Sequence, residues 1–147
     1  MRKRSDSQTE RFAEQISALQ EAPRITDLHP VAARFIYSLR LVAAYKRAKR
    51  DPAAELANRL GSIQTAIKAL QLVETIGHSW PEPVLVQRFC CGCLSHDERT
   101  LGAMLDAAWH NDRASFNDQL AGLVRSERID RVWDDALQLV MAEAASC

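Results

Sequence analysis

Leu56, Leu60, Ile63, Ile67 and Leu70 recur at steps of four, three, four and three residues, and the series runs on toward Val73 and Ile76. Side chains at that spacing share one face of an α-helix, and this is the strongest helical pattern in the chain. Asp51-Pro52 supplies an N-cap followed by a proline at the first helical position. Gly77 reads as a C-terminal cap, and Ser79-Trp80-Pro81-Glu82-Pro83 cannot prolong a helix. Because the stripe keeps its phase through Gly61, a single long helix with one interior glycine is expected, at a cost of about 1 kcal/mol relative to alanine.

The remaining segments repeat the same period. Phe12, Ile16 and Leu19 mark a first amphipathic helix from about Thr9 to before Pro23. Pro30 suits the first turn of a second helix that runs to about Arg50, with Ala32, Phe35, Ile36, Leu39, Val42 and Ala43 on its apolar face. Ser95 with Glu98 forms a capping box, opening a helix from about His96 to Trp109 with Leu101, Met104, Leu105 and Ala108 on one face. Another starts near Asp112 with Phe116, Leu120 and Leu123 inward. A last one starts near Ser126 with Ile129, Val132, Trp133, Ala136, Leu137 and Val140 inward. Val84-Leu85-Val86 reads as a short extended piece without a partner strand. The expectation is an all-α fold, a single-domain bundle of five or six helices over residues 9–147, preceded by a flexible basic tail at residues 1–8.

A chain of 147 residues with 47% hydrophobic and 26% charged residues has the composition of one globular domain. Its longest apolar runs, such as Leu41-Val42-Ala43-Ala44, end far short of the ~20 residues that span a bilayer. Met1-Arg2-Lys3-Arg4 is followed by polar residues instead of an apolar signal core, which points to the cytoplasm. In that reducing compartment the four cysteines are expected as thiols, not structural disulfides.

Charge is uneven although its sum is zero. Residues 1–50 carry 11 Lys/Arg against 5 Asp/Glu, and residues 101–147 carry 4 against 8. The two ends are expected to lie together and neutralise one another. The alternative is a basic face including Lys46, Arg47, Lys49 and Arg50 that meets a polyanion.

Chemistry concentrates in Phe89-Cys90-Cys91-Gly92-Cys93-Leu94-Ser95-His96. Cys90, Cys93 and His96 are spaced so that thiolate and imidazole donors can converge on zinc, with Cys91, His78, His110, Cys147 or water as a fourth ligand. Gly92 sits where a tight knuckle favours positive φ. A second reading keeps the thiols free and redox-responsive at the start of a helix. In the third, they are small buried hydrophobes beside Phe89 and Leu94.

Residues 55–70 also look like a helix-turn-helix with Gln64, Thr65 and Lys68 toward nucleic acid, although the continuous stripe and the polar Ser62 argue for one helix. No phosphate-cradling glycine loop, nucleophile elbow or His-Glu-x-x-His pattern is present, and Asp106, His110 and Asp112 read as solvated helix ends.

From Phe35 onward the chain resembles a family of small bacterial helical proteins, a domain of unknown function. The resemblance is carried by Ala53-Ala54 through Leu60-Gly61, by paired Cys90-Cys91, and by Ser95 with Asp97-Glu98 before Leu101. It implies an all-helical cytoplasmic protein, no activity and paired cysteines as a shared feature. The chain departs from the family in lacking a proline shortly after Gly61. A non-catalytic interaction or regulatory module with a protein partner or self-association is therefore expected, without a cofactor. A zinc or redox protein and a DNA-binding regulator are the alternatives.

Overall fold

In the computed structural model, residues 9–11 and 23–146 are described. The basic tail, the Phe12/Ile16/Leu19 stripe and Cys147 lie outside them, though residues 9–11 are helical. A 3-10 turn at Ile25–Asp27 precedes α1 (Pro30–Arg47), α2 (Ala53–Leu60), α3 (Ile63–Ser79), α4 (His96–Trp109), α5 (Arg113–Leu120) and α6 (Ser126–Ala145). The protein is all-helical. Among the described residues the only β pairing is an isolated antiparallel bridge between Arg24 and Cys93, and no helix is long and apolar enough to cross a membrane.

Local chemistry accounts for the helix ends. Pro30 stands at the start of α1, where the His29 imidazole accepts the Val31 N–H at 3.2 Å. The Asp51 carboxylate accepts the Ala53 N–H ahead of α2. Ser95 and Glu98 close the expected capping box at the start of α4, and Asp112 caps α5 through the Ser115 N–H. That contact and the Ser115 hydroxyl hold the Asp112 carboxyl below the usual carboxylate range.

Three boundaries differ from the sequence expectation. Helix α1 stops at Arg47, not Arg50, because Lys49 turns to φ 55° and the Arg50 N–H returns to the Tyr45 carbonyl. No glycine advertises that end. Helix α3 passes through Gly77 to Ser79, and Pro81 forces Trp80 out of the helical region to ψ 140°.

The third difference matters most. The expected single long helix is two helices. Gly61 adopts the left-handed conformation at φ 74°, which terminates α2, and the Ser62 hydroxyl accepts the Thr65 N–H to start α3. The apolar stripe runs straight through this break but changes role. Leu56 is buried, whereas Ile63 and Ile67 are 72% and 50% exposed. The inward face of α3 is instead Thr65, Ala66, Ala69, Leu72, Thr75 and Ile76.

The alanines and threonines of this face let α6 lie close against α3, the most extensive helix pair among the described residues. Thr65 meets Ser146, Lys68 donates to Gln138, and Gln71 and Thr75 both donate to Asp135. Rising numbers on one helix pair with falling numbers on the other, so the two are antiparallel. One apolar core draws on all six helices, including Phe35, Ile36, Leu56, Leu72, Leu101, Phe116 and Val132. Phe116 meets the Trp133 ring edge-on at 4.9 Å.

The Gly61 turn makes a prediction of sign. Gly61→Ala lowers unfolding stability by about 1 kcal/mol, the cost of a left-handed non-glycine residue. A continuous helix would instead gain about that much from alanine. Urea denaturation distinguishes the two.

Candidate functional site

Arg40 lies on α1 one residue beyond Leu39 and inside the buried face, with 1% of its surface exposed. An arginine cannot occupy a core without a partner for its charge. Its partner is Glu98 in the first turn of α4, fully buried as well. Arg40 Nε donates to Glu98 Oε2 at 2.7 Å and Nη2 to Oε1 at 2.9 Å. The same guanidinium donates to the Cys91 carbonyl at 2.5 Å and the Cys93 carbonyl at 3.0 Å. The bond to Glu98 raises the Arg40 pKa, outweighing the loss of hydration, so the guanidinium stays charged.

Glu98 has a second duty. Its Oε1 accepts the Ser95 N–H at 2.9 Å while the Ser95 hydroxyl accepts the Glu98 N–H at 3.0 Å. The Ser95 hydroxyl donates in turn to the Leu85 carbonyl, and Asp97 accepts the Leu85 N–H. These bonds satisfy the Leu85 backbone, in the middle of the extended segment, without a partner strand. On its other side the loop takes backbone bonds from the chain before α1. The Ile25 N–H donates to the Gly92 carbonyl, and the Leu94 N–H donates to the Pro23 carbonyl.

The cysteines therefore sit in a loop held by its carbonyls, with their side chains left over. Cys90 and Cys93 are exposed, Cys91 is half-buried, and all three are free thiols. This corrects the expectation of small buried hydrophobes. The loop's backbone satisfies Arg40, so its side chains are not drawn into the core. Gly92 does not have a positive φ. Its role is clearance, since a Cβ there would lie 3.1 Å from the Arg24 guanidinium.

His96 is exposed at the first residue of α4. His110 caps the opposite end of that helix, about 20 Å away at 1.5 Å per residue. It cannot share an ion with Cys93. His78 projects from the end of α3 toward Glu74. Among the described residues, no three His, Cys, Asp or Glu side chains stand together as a metal-holding group.

The residues considered for nucleic acid are divided. Gln64 is exposed, Thr65 is fully buried against Ser146, and Lys68 is half-buried with its ammonium on Gln138. Thr65 and Lys68 thus serve the α3–α6 contact. Lys46, Arg47, Lys49 and Arg50 are all exposed beyond the last turn of the α1 core face. Arg34 of α1 pairs with Glu143 of α6 at 2.7 Å, one ion pair between the basic first third and the acidic last third.

Beside the cysteine loop, a half-open cavity of about 370 Å³ separates α1 from α2. Leu41 and Leu56 are its buried lining, and Leu60 and Ser38 complete the wall. Four larger groups border it: Tyr37, Phe89, Arg34 and Arg59. The Phe89 ring lies 5.8 Å from that of Tyr37, and the Arg59 guanidinium sits 5.4 Å over Phe89. Both aromatic rings remain substantially exposed, at 43% for Tyr37 and 39% for Phe89.

Sequence reasoning missed this cavity and the ion pair behind it. The signal for the pair was present, because Arg40 shares the helical face of Phe35, Ile36 and Leu39. Comparison with protein-family models, with curated proteins and with solved structures finds no match, so function is argued from these residues themselves.

Removing one member of the buried pair strands a charge. Arg40→Met is expected to cost about 3–5 kcal/mol in urea unfolding. Adding Glu98→Leu recovers part of that loss, since no lone carboxylate then remains in the core.

Proposed function

We propose that the chain is a non-catalytic cytoplasmic interaction module that receives an apolar anchor from a partner protein in the cavity between α1 and α2. The observation that carries this reading is the border of that cavity. Two half-exposed aromatic rings and two arginines surround leucines, and aromatic residues and arginine dominate the energetics of protein recognition sites. The volume suits one or two large side chains, in the range of sites that enclose compact ligands.

The charge of the border selects the chemistry of the partner. Arg34 and Arg59 are the charged lining residues, and among the described residues no carboxylate lines the cavity. Glu143 and Glu55 each engage one side of an arginine from outside it. A segment with an aromatic or branched apolar anchor flanked by carboxylates is complementary to this surface. The outward Ile63 and Ile67 agree with a protein that offers apolar surface to others.

A fluorescent peptide with a Trp–Leu anchor between glutamates tests the reading by anisotropy. The wild-type chain binds it, Phe89→Asp weakens binding by at least about tenfold, and exchanging the glutamates for lysines weakens it as well. Equal binding by wild type and Phe89→Asp overturns the proposal. A concentration-dependent dimer that Phe89→Asp dissolves also overturns it, because the occupant is then a second copy.

A further inference from the structure

The loop that ends at the cavity carries thiols for which the fold has no use. Its backbone is anchored at three consecutive residues: Arg40 holds the carbonyls of Cys91 and Cys93, and the Ile25 N–H holds that of Gly92. The exposed Cys90 and Cys93 stand at either end of that anchored run. Positive charge flanks it, with the Arg24 guanidinium against Gly92 and that of Arg40 behind both carbonyls. Thiol–disulfide exchange requires an attacking sulfur that an external disulfide can reach, and both thiols are open to solvent.

We propose that Cys90 and Cys93 form a reversible dithiol site, oxidised by small-molecule disulfides, whose closure displaces Phe89 and weakens docking in the neighbouring cavity. The second half of this inference rests on the docking reading above. In the first step one protein thiolate attacks a sulfur of the external disulfide, forming a mixed disulfide and expelling a thiolate. The second cysteine then attacks the protein-bound sulfur, closes the Cys90–Cys93 bond and expels the other thiolate. Both protein protons pass to the expelled thiolates. Two protein thiols are oxidised and one external disulfide is reduced.

The anchors give this chemistry a direction. Bridging brings the two Cα atoms to roughly 4.4–6.8 Å of each other. Cys93 is held by Arg40 and by its bridge to Arg24, whereas Cys90 lies in the turn closed by the Cys91 N–H and the Arg88 carbonyl. Adjustment therefore falls on that turn, which contains Phe89 and with it the ring that Tyr37 and Arg59 contact.

The test uses the full chain, equilibrated with oxidised glutathione and then alkylated. The expected intact mass shows two alkyl groups where the reduced chain carries four, and the bridged pair has lost two hydrogens, about 2 Da, with peptide mapping placing the bond between Cys90 and Cys93. Ring resonances of Phe89 and Tyr37 shift on closure, affinity for the Trp–Leu peptide falls about tenfold, and dithiothreitol reverses all three. In Cys90→Ser and in Cys93→Ser, ring resonances and affinity no longer respond to oxidised glutathione. Mixed glutathione adducts alone, a bond through Cys91 or Cys147, or closure with unmoved ring resonances overturns the inference. Closure that moves the rings but leaves affinity unchanged overturns the link to docking. Failure of the reduced chain to bind the peptide is failure of the docking reading, and is separate from the mass and resonance results.

Discussion

The buried pair of Arg40 and Glu98 fastens α1, the start of α4 and the cysteine loop together. Two charges removed from water lose several kcal/mol of hydration each, and mutual attraction repays this only when the remaining hydrogen-bonding capacity is also filled. Here it nearly is. Of five guanidinium N–H groups, four bonds are directed at Glu98 and at two carbonyls of the cysteine loop. Glu98 also closes the cap of α4. One interaction thereby sets the register of α1 on α4, the start of α4 and the path of residues 91–93. An apolar pair of equal volume could hold the two helices, but it has no donors for the loop carbonyls.

A second constraint operates where α3 meets α6. Helix α3 approaches α6 along alanines and threonines, and the contact is edged by Lys68–Gln138 and by Thr75 and Gln71 on Asp135. Close approach of backbones demands small residues, and dense packing of this kind contributes dispersion energy that a hydrophobicity count overlooks. The larger Ile63 and Ile67 are consequently turned out. Their place in the stripe was set by spacing, while their environment was set by the geometry of the turn before them.

That contrast explains how much of the molecule was legible from its residues. The all-helical class, the capping box at Ser95, the cap at Asp112, the extent of α4 and the start of α6 follow from local rules, and these features are present; the cap expected at Asp51 is shifted by one residue, with Pro52 at the N-cap position of α2. Gly61-Ser62 carries the signal for a stop and a new start, but the unbroken apolar spacing across it masks that signal. The end of α1 at Lys49 was not legible, because a lysine in the left-handed region carries no mark in the sequence. At the candidate site the cysteine cluster drew attention for its side chains. Its structural contribution comes from its carbonyls, and a backbone acceptor looks the same in every residue. The cavity combines α1, α2 and a loop some thirty residues further on, a long-range association on which local spacing is silent.

The geometry of α1 connects these two parts of the site. Tyr37, Ser38 and Leu41 face the cavity, while Arg40 reaches the other way to Glu98. At 100° per residue, neighbouring positions on one helix necessarily serve different surfaces. A rigid helix between two surfaces transmits little if neither moves it. The cysteine loop is different, because it touches both: its carbonyls rest on Arg40 and its Phe89 ring rests on Tyr37 and Arg59. Any change in that loop reaches the cavity through Phe89 without disturbing the core, since the anchors at Cys91, Gly92 and Cys93 bind backbone and leave the turn before them to adjust. The fold thus separates a fixed support from an adjustable border within six residues.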